Sequence, residues 1–390
     1  MNVTLNKNNA DFTLLLEGQI DSNNAPEVKK KIDGLLPKKG VQTLTIDAKE
    51  LQYITSAGLR IVLTLWHSYP SLRIINVRPE VYDILEMTGF TEMMPIERML
   101  REVSVEGKPI VGEGFTAIVY RLSGDSIVKV FRGERSMKSI RAEIDAAKKA
   151  FIYGIPTAIS FDVVKVGDRL GVVFEMLDCA SLRDLILANP DRFEEYKKMY
   201  ADLSYKITHT VASDSGLGEC KEPLLQKLAL LDGVMPKADY QKLISMIRAI
   251  PDTGTLTHGD FHIKNILVQN GEPLLIDMDS VALGNPIFEL EGIYLSAKAY
   301  NEAEPNNASE FFGVPQKVLD ELYDALISIY FPGKTEAELD LIRRKIELLS
   351  TAHLAYQTIH YHRDQNGRLS KALSRLHELL SSIDDLDLGK

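Results

Sequence analysis

The chain has 390 residues, 45% of them hydrophobic, with 45 Lys/Arg against 55 Asp/Glu and a formal charge of −10. That length suggests two or three folding units of ordinary globular composition, and the absence of a basic face able to release counterions argues against nucleic acid as a partner. Two cysteines, Cys179 and Cys220, form neither a disulfide framework nor a zinc pair; with no apolar leader and no run of about 18 apolar residues, they point to a cytoplasmic protein that does not span a membrane.

Residues 13–16, 41–47 and 72–77 are rich in β-branched and apolar residues and read as strands. Between them, Asn24 as a cap and Pro26 in the first turn open a helix. Val28, Ile32, Leu35 and Leu36 make its apolar face, and it closes near Pro37. A second helix starts at about Ser56 and stops at Tyr69-Pro70, with Leu59, Val62, Leu63 and Trp66 facing a sheet, and a third covers Pro79 to Thr88. Alternation of this kind predicts a small sheet with helices packed on it.

The segment Tyr53-Ile54-Thr55-Ser56-Ala57-Gly58-Leu59, preceded by Leu44-Thr45-Ile46-Asp47, resembles the STAS domain of anti-sigma-factor antagonists over residues 1–100. The resemblance implies an α/β fold, an anti-sigma factor as a partner class, and Ser56 as a phosphate acceptor whose modification switches that binding. Many members carry an acid just before this serine, where the chain has Thr55. Read from the residues alone, Ser56 serves equally as a helix cap accepting backbone N–H groups.

Residues 101–107 read as a short polar connector. Beyond it, the run from Ile110 to Tyr120 is a strand, a turn holding Gly112 and Gly114, and a second strand. Glycines of this kind let a backbone approach phosphate closely, although they serve plain hairpin turns as well. A third strand, Ser126 to Arg132, sets Lys129 on the face of Ile127 and Phe131, and an inward lysine needs an anionic partner. Glu143 offers one, on a helix whose apolar side carries Ile140, Ile144 and Ala147; Gly154 and Pro156 end that helix. Such a pair suits a kinase, where the lysine holds the α- and β-phosphates and the glutamate fixes the lysine.

The most specific segment is Thr257-His258-Gly259-Asp260-Phe261-His262-Ile263-Lys264-Asn265, followed by strand Ile266 to Gln269, an Asn270-Gly271 turn and strand Pro273 to Ile276 ending in Asp277-Met278-Asp279. Phosphoryl transfer needs a base for the acceptor hydroxyl and oxygen ligands for magnesium. Asp260 suits the first role, Asn265 and Asp277 the second, with Asp279 adding an outer contact; His258 reads as structural.

From His258-Gly259-Asp260 through Asn265 to the Ile-Asp-Met-Asp strand end, the chain resembles aminoglycoside- and choline-kinase-like phosphotransferases over residues 106–295. It departs from eukaryotic-type protein kinases, which have arginine where Gly259 stands, and no long activation segment follows Asp277. The resemblance implies an α+β bilobal protein-kinase-like fold, with an N-lobe over 108–180 and a helical C-lobe over 181–390. It also implies ATP and Mg²⁺ as cofactors, and an interlobe hinge at residues 171–177 where the Glu175 carbonyl and the Leu177 amide meet adenine and Phe174 lines the pocket. Helices are expected at 339–355 and 369–380, a connector at 301–307, a polar helix end bearing Tyr356, His360, Tyr361 and His362, and a frayed acidic tail at 384–387.

Three functions fit. The first is phosphorylation of a small hydroxyl- or amine-bearing molecule under control of the amino-terminal domain. The second is phosphorylation of Ser56 on its own or another copy, and the third an inactive nucleotide-binding scaffold.

Overall fold

Five strands build the amino-terminal sheet: β1 (Asn2–Asn8), β2 (Asp11–Ile20), β3 (Thr43–Ile54), β4 (Leu72–Val77) and β5 (Ile96–Arg98), adjacent in that order. The computed structural model describes residues 1–37, 40–114, 116–364 and 366–389. β1 and β2 are an antiparallel hairpin, and every later pairing is parallel. Four helices complete the unit: α1 (Ala25–Leu35), α2 (Ser56–Ser68), α3 (Pro79–Met87) and α4 (Phe90–Met93). Leu14, Ile20, Leu44, Ile46 and Ile74 from the strands and Val28, Ile32, Val62 and Val81 from the helices form one core. Leu35 is 40% exposed, so the first helix buries Val28, Ile32 and Leu36 without it. On the second helix the innermost residues are Leu59, Ile61, Val62 and Leu65, with Leu63 and Trp66 half-buried.

Contacts divide the chain into two compact units, Met1–Glu106 with Val163–Gly171, and Gly107–Asp162 with Val172 onward. Within the first unit, part of the predicted connector is a strand. β6 (Arg101–Glu102) lies parallel to Val164 and Lys165, and the Val103 amide donates to the Lys165 carbonyl at 2.8 Å.

The second unit opens with β7 (Ile110–Glu113), β8 (Ala117–Arg121) and β9 (Ser126–Phe131), antiparallel neighbours, then α5 (Met137–Ile152). The hairpin β10 (Ser160–Val166) and β11 (Arg169–Glu175) comes next in the chain; its residues Val163–Gly171 belong to the first unit and Val172–Glu175 to the second. Its helical part contains α6 (Leu182–Ala188), α7 (Phe193–Thr208), α8 (Lys221–Leu228) and α9 (Lys237–Ala249). After these come α10 (Pro286–Tyr294), α11 (Tyr300–Ala303), α12 (Asn307–Phe312), α13 (Gln316–Tyr330), α14 (Glu336–His360) and α15 (Arg368–Ser382). Short strands sit among them: β12 (Ala180–Ser181), β13 (Leu256–Thr257), β14 (Ile266–Gln269), β15 (Glu272–Leu275) and β16 (Ala282–Leu283). Asn270 and Gly271, at φ 53° and 84°, make the tight turn of the β14–β15 hairpin, which positions the residues at its open end.

Three expectations for this part are corrected. The stretch 301–307 is largely the end of α11 and the start of α12, because a π-helical turn at Leu295–Ala299 carries the α10 helix onward. Tyr356 is 8% exposed and packs in the core, stacked on His360 at 5.3 Å, so that helix end is not simply polar. The acidic tail is anchored rather than frayed: Lys242 binds Asp384 at 2.8 Å, Lys345 binds Asp385 at 2.5 Å, and Leu386, the next residue, is buried.

Gly58 shows how tightly α2 meets the sheet, since a Cβ there would lie 2.5 Å from Ile54 Cγ1 and 2.9 Å from Ile20 Cγ2. Gly58→Ala should therefore destabilise the first unit by about 1–3 kcal/mol through overpacking. Trp66, the chain's single tryptophan, lies on α2 and reports on this unit alone; an unchanged urea midpoint of its fluorescence would contradict the packing argument.

Candidate active site

A lysine on an inner strand face needs a fixed anion, and Lys129 has two. Its Nζ donates to Glu143 Oε1 at 2.9 Å and to Asp277 Oδ1 at 2.8 Å. Glu143 comes from the buried side of α5, and α5 lies against the turn Met278–Ser280 that follows Asp277. Leu275, at the end of β15, is held by the Pro156 carbonyl at 2.8 Å and accepts from Thr157 Oγ1 at 2.9 Å. The α5 exit and the β15 end are thereby joined by hydrogen bonds.

Burial alone would lower the Lys129 pKa, but Asp277 and Glu143 outweigh it and raise the value, so the ammonium stays charged. Burial pushes the Asp277 carboxyl up, yet Lys129 through charge and hydrogen bonding carries it below the usual range. Asp277 adopts φ 65° and ψ 59°, a left-handed backbone uncommon for a residue with a side chain.

The second group is the loop between β13 and β14. His258 is fully buried; its Nδ1 accepts the Asp260 amide at 3.2 Å and its Nε2 lies 3.1 Å from the Ile276 carbonyl. These partners require a neutral ring with the proton on Nε2, and burial lowers its pKa accordingly. His262 repeats the pattern: Nδ1 accepts the Asn265 amide at 3.2 Å, Nε2 stands 3.6 Å from Asp260 Oδ1, and burial brings the ring's pKa down to about 4. The Asn265 amide group donates to the Asp260 carbonyl at 3.0 Å and to Asp260 Oδ2 at 3.1 Å, which orients the carboxylate. Asp260 keeps half its side chain exposed, and burial of the remainder lifts its pKa, with His258 opposing.

Asn265 and Asp277 flank the open end of the β14–β15 hairpin, where the Ile276 amide donates to the Asn265 carbonyl at 3.0 Å. An amide oxygen and a carboxylate are hard donors of the type that could hold magnesium, which keeps several waters and takes phosphate oxygens as further ligands. Among the described residues no cluster of three or more His, Cys, Asp or Glu forms a closed metal cage.

The remaining expected residues fall as follows. Gly112 lies in β7 and Gly114 in the turn after it, where the Gly114 carbonyl accepts from Arg132 Nε at 3.2 Å; Phe115 is outside the described residues. Glu175 ends β11 with its side chain exposed, Phe174 is half-buried, and Leu177 follows outside any strand or helix. Met176, between Glu175 and Leu177, donates its amide to the Asp125 carbonyl at 2.9 Å and so fixes the course of the segment. Ser56 is exposed at the first position of α2, and the cap is Thr55, whose Oγ1 donates to the Ile20 carbonyl at 3.2 Å. The helix-cap reading of Ser56 is thus corrected, and no side-chain capping bond is made there.

Two residues escaped the sequence reading. Arg135 binds Glu143 Oε2 at 3.0 Å and reaches Asp279 Oδ2 at 3.7 Å. Glu289 on α10, 1% exposed, accepts the amides of His258 at 2.5 Å and Gly259 at 3.2 Å, anchoring the loop from beneath. Its signal was the acid four residues after the Asn285-Pro286 helix start, in an otherwise apolar turn.

Two separate stretches of the chain are similar to known proteins. Residues 2–103 match the STAS domain model and residues 213–326 the model of the phosphotransferase enzyme family. BtrV of Bordetella bronchiseptica, named for an anti-sigma factor antagonist role, is 29% identical over 100 residues, 25% of this chain and 85% of that protein. The anti-sigma F factor antagonist of Paenibacillus polymyxa is 25% identical over 85 residues, 21% of this chain and 73% of its own. Among solved structures, the GDP complex of aminoglycoside 2'-phosphotransferase-IIIa superposes with a TM-score of 0.45 at 15% identity, covering 77% of this chain and 97% of that one. A choline/ethanolamine kinase family protein from Mesorhizobium loti gives 0.44 at 14%, covering 71% and 92%. Residues 2–103 are thus STAS-like, and residues 213–326 fall under the phosphotransferase enzyme family model.

Burial raises the Glu289 pKa to about 7, against the hydrogen bonds from Gly259 and His258, which lower it. The folded state therefore holds a proton that the unfolded state releases at the ordinary 4.5. The stability it contributes is complete below that value and is lost as pH rises through about 7. Glu289→Gln, which keeps an accepting oxygen but cannot ionise, should flatten the decline of the unfolding midpoint between about pH 5 and about pH 8, followed by circular dichroism. A variant with an unaltered pH slope would refute the assignment.

Proposed function

We propose that the second unit is an ATP- and Mg²⁺-dependent phosphotransferase acting on a small hydroxyl- or amine-bearing acceptor, with the STAS domain regulating or recruiting. The observation that carries this is the single ammonium of Lys129 held between Glu143 and Asp277, beside a loop in which Asn265 orients Asp260. Lys129 would hold the α- and β-phosphates, as that pair does in kinases. Asn265 and Asp277 would hold the magnesium, which when bound neutralises charge on the transferred phosphate. Asp260, raised in pKa and half-exposed, would take the acceptor proton. Neutral His258 and His262 position the loop and exchange no proton. Glu175 and Leu177 would offer their backbone groups to adenine, with Gly112 and Gly114 over the phosphates.

One observation favours a second acceptor. Ser56 is exposed at a helix N-terminus, where the helix dipole favours an added phosphate, and matches the phosphate-accepting serine of the STAS resemblance. An anti-sigma factor is the partner class that this reading implies.

Purified full-length protein should consume ATP with Mg²⁺ when the correct acceptor is supplied from a metabolite library. Asp260→Asn should lower that turnover by roughly 10²–10⁴-fold while leaving ATP binding intact. Phosphate mapped by mass spectrometry to Ser56, and absent in Asp260→Asn, would select the second acceptor. Binding of ATP without consumption under any of these conditions would sink both and leave a nucleotide-binding scaffold.

A further inference from the structure

Five charged side chains form one continuous series around the proposed nucleotide site: Asp277, Lys129, Glu143, Arg135 and Asp279. Three carboxylates against two cations leave an excess negative charge where a triphosphate, more negative still, would have to enter. The contacts are unequal. Lys129 and Arg135 hold Asp277 and Glu143 at 2.8–3.0 Å, whereas Arg135 Nη2 stands 3.7 Å from Asp279, beyond hydrogen-bonding distance. The Asp279 link is the one whose release costs least.

Arg135 is otherwise fixed. Its guanidinium lies 4.8 Å from the centre of the Phe131 ring, over which Lys129 also sits at 5.6 Å, and Nη1 is held by Glu143. A guanidinium carries five donors in a rigid fork matched to phosphate oxygens, and this one remains 25% exposed. Arg132, the nearby alternative, is occupied by Glu113 and the Gly114 carbonyl.

We infer that Arg135 is a second phosphate-binding cation, which holds Asp279 in the resting site and turns its free edge to the terminal phosphate of a bound nucleoside triphosphate. This rests on the nucleotide-site reading above. A group acting only on the terminal phosphate distinguishes ATP from ADP, whereas one that merely braces Glu143 treats both alike.

Calorimetric titration of the full chain with Mg·ATP and Mg·ADP tests this. Arg135→Ala should weaken ATP binding by about tenfold or more while ADP binding changes by less than about twofold. Arg135→Lys, which keeps the charge but loses the fork, should show the same selectivity at a few-fold loss and serves if the alanine variant does not fold. Equal weakening of both nucleotides, or none, would overturn the role of Arg135 and leave the nucleotide site standing. Failure of the unaltered protein to bind either nucleotide would overturn both.

Discussion

A charged ammonium with only 15% of its side chain exposed is tolerable where anions are held rigidly against it, and this requirement organises the second unit. Lys129 draws one carboxylate from 14 residues away and another from 148. Each carboxylate takes its own hydrogen bond from the ammonium, so removing either leaves the partly buried charge with one anion instead of two. The strand β9, the helix α5 and the end of β15 are therefore fixed to one another by a single side chain. Supporting hydrogen bonds from Thr157 Oγ1 to the Leu275 carbonyl and from the Leu275 amide to the Pro156 carbonyl keep the α5 exit and β15 in register, so the ion pairs are not asked to hold the elements alone.

The same geometry separates two aspartates chemically. Asp277 beside Lys129 is driven toward the ionised form, while Asp260, desolvated by burial and facing the charges of Asp277 and Asp279, is driven the other way. Carboxylates whose environments push their proton affinities apart divide ligand and base roles between them. The neutrality of His258 and His262 matters here: a protonated imidazole beside Asp260 would hold its carboxylate at low pKa and weaken it in the base role proposed for it.

Much of this was legible in the sequence because the chemistry uses short, local patterns. The strand–turn–helix order of the first unit, Lys129 with Glu143, and the segment from His258 to Asp279 all carry periodicity or spacing that survives without coordinates. What was not legible depends on long-range packing. β1 was missed because its Asn-Val-Thr-Leu-Asn-Lys-Asn run carries few apolar residues, its pairing with β2 supplying the strand. Arg135 sits in the polar run Arg132-Gly133-Glu134-Arg135, which resembles any solvated loop until Glu143 and Phe131 are placed beside it. The tail seemed frayed because its lysine partners lie 40 and 142 residues earlier in the chain.

Gly259 ties the loop to its surroundings in a way that bears on control. It has φ 78°, and a Cβ there would stand 2.8 Å from the Ser280 carbonyl oxygen and 2.9 Å from Ser280 Cβ. An arginine, the residue protein kinases carry here, would be strained in conformation and would collide with the turn after Asp277. The loop instead closes directly on that turn, with Glu289 holding the Gly259 amide from the other side. The loop that carries Asp260, positioned by backbone packing and Glu289, needs no added phosphate to order it. Control of the proposed site would then act through the cations and carboxylates that a nucleotide would displace, or through access of the acceptor, rather than through this loop.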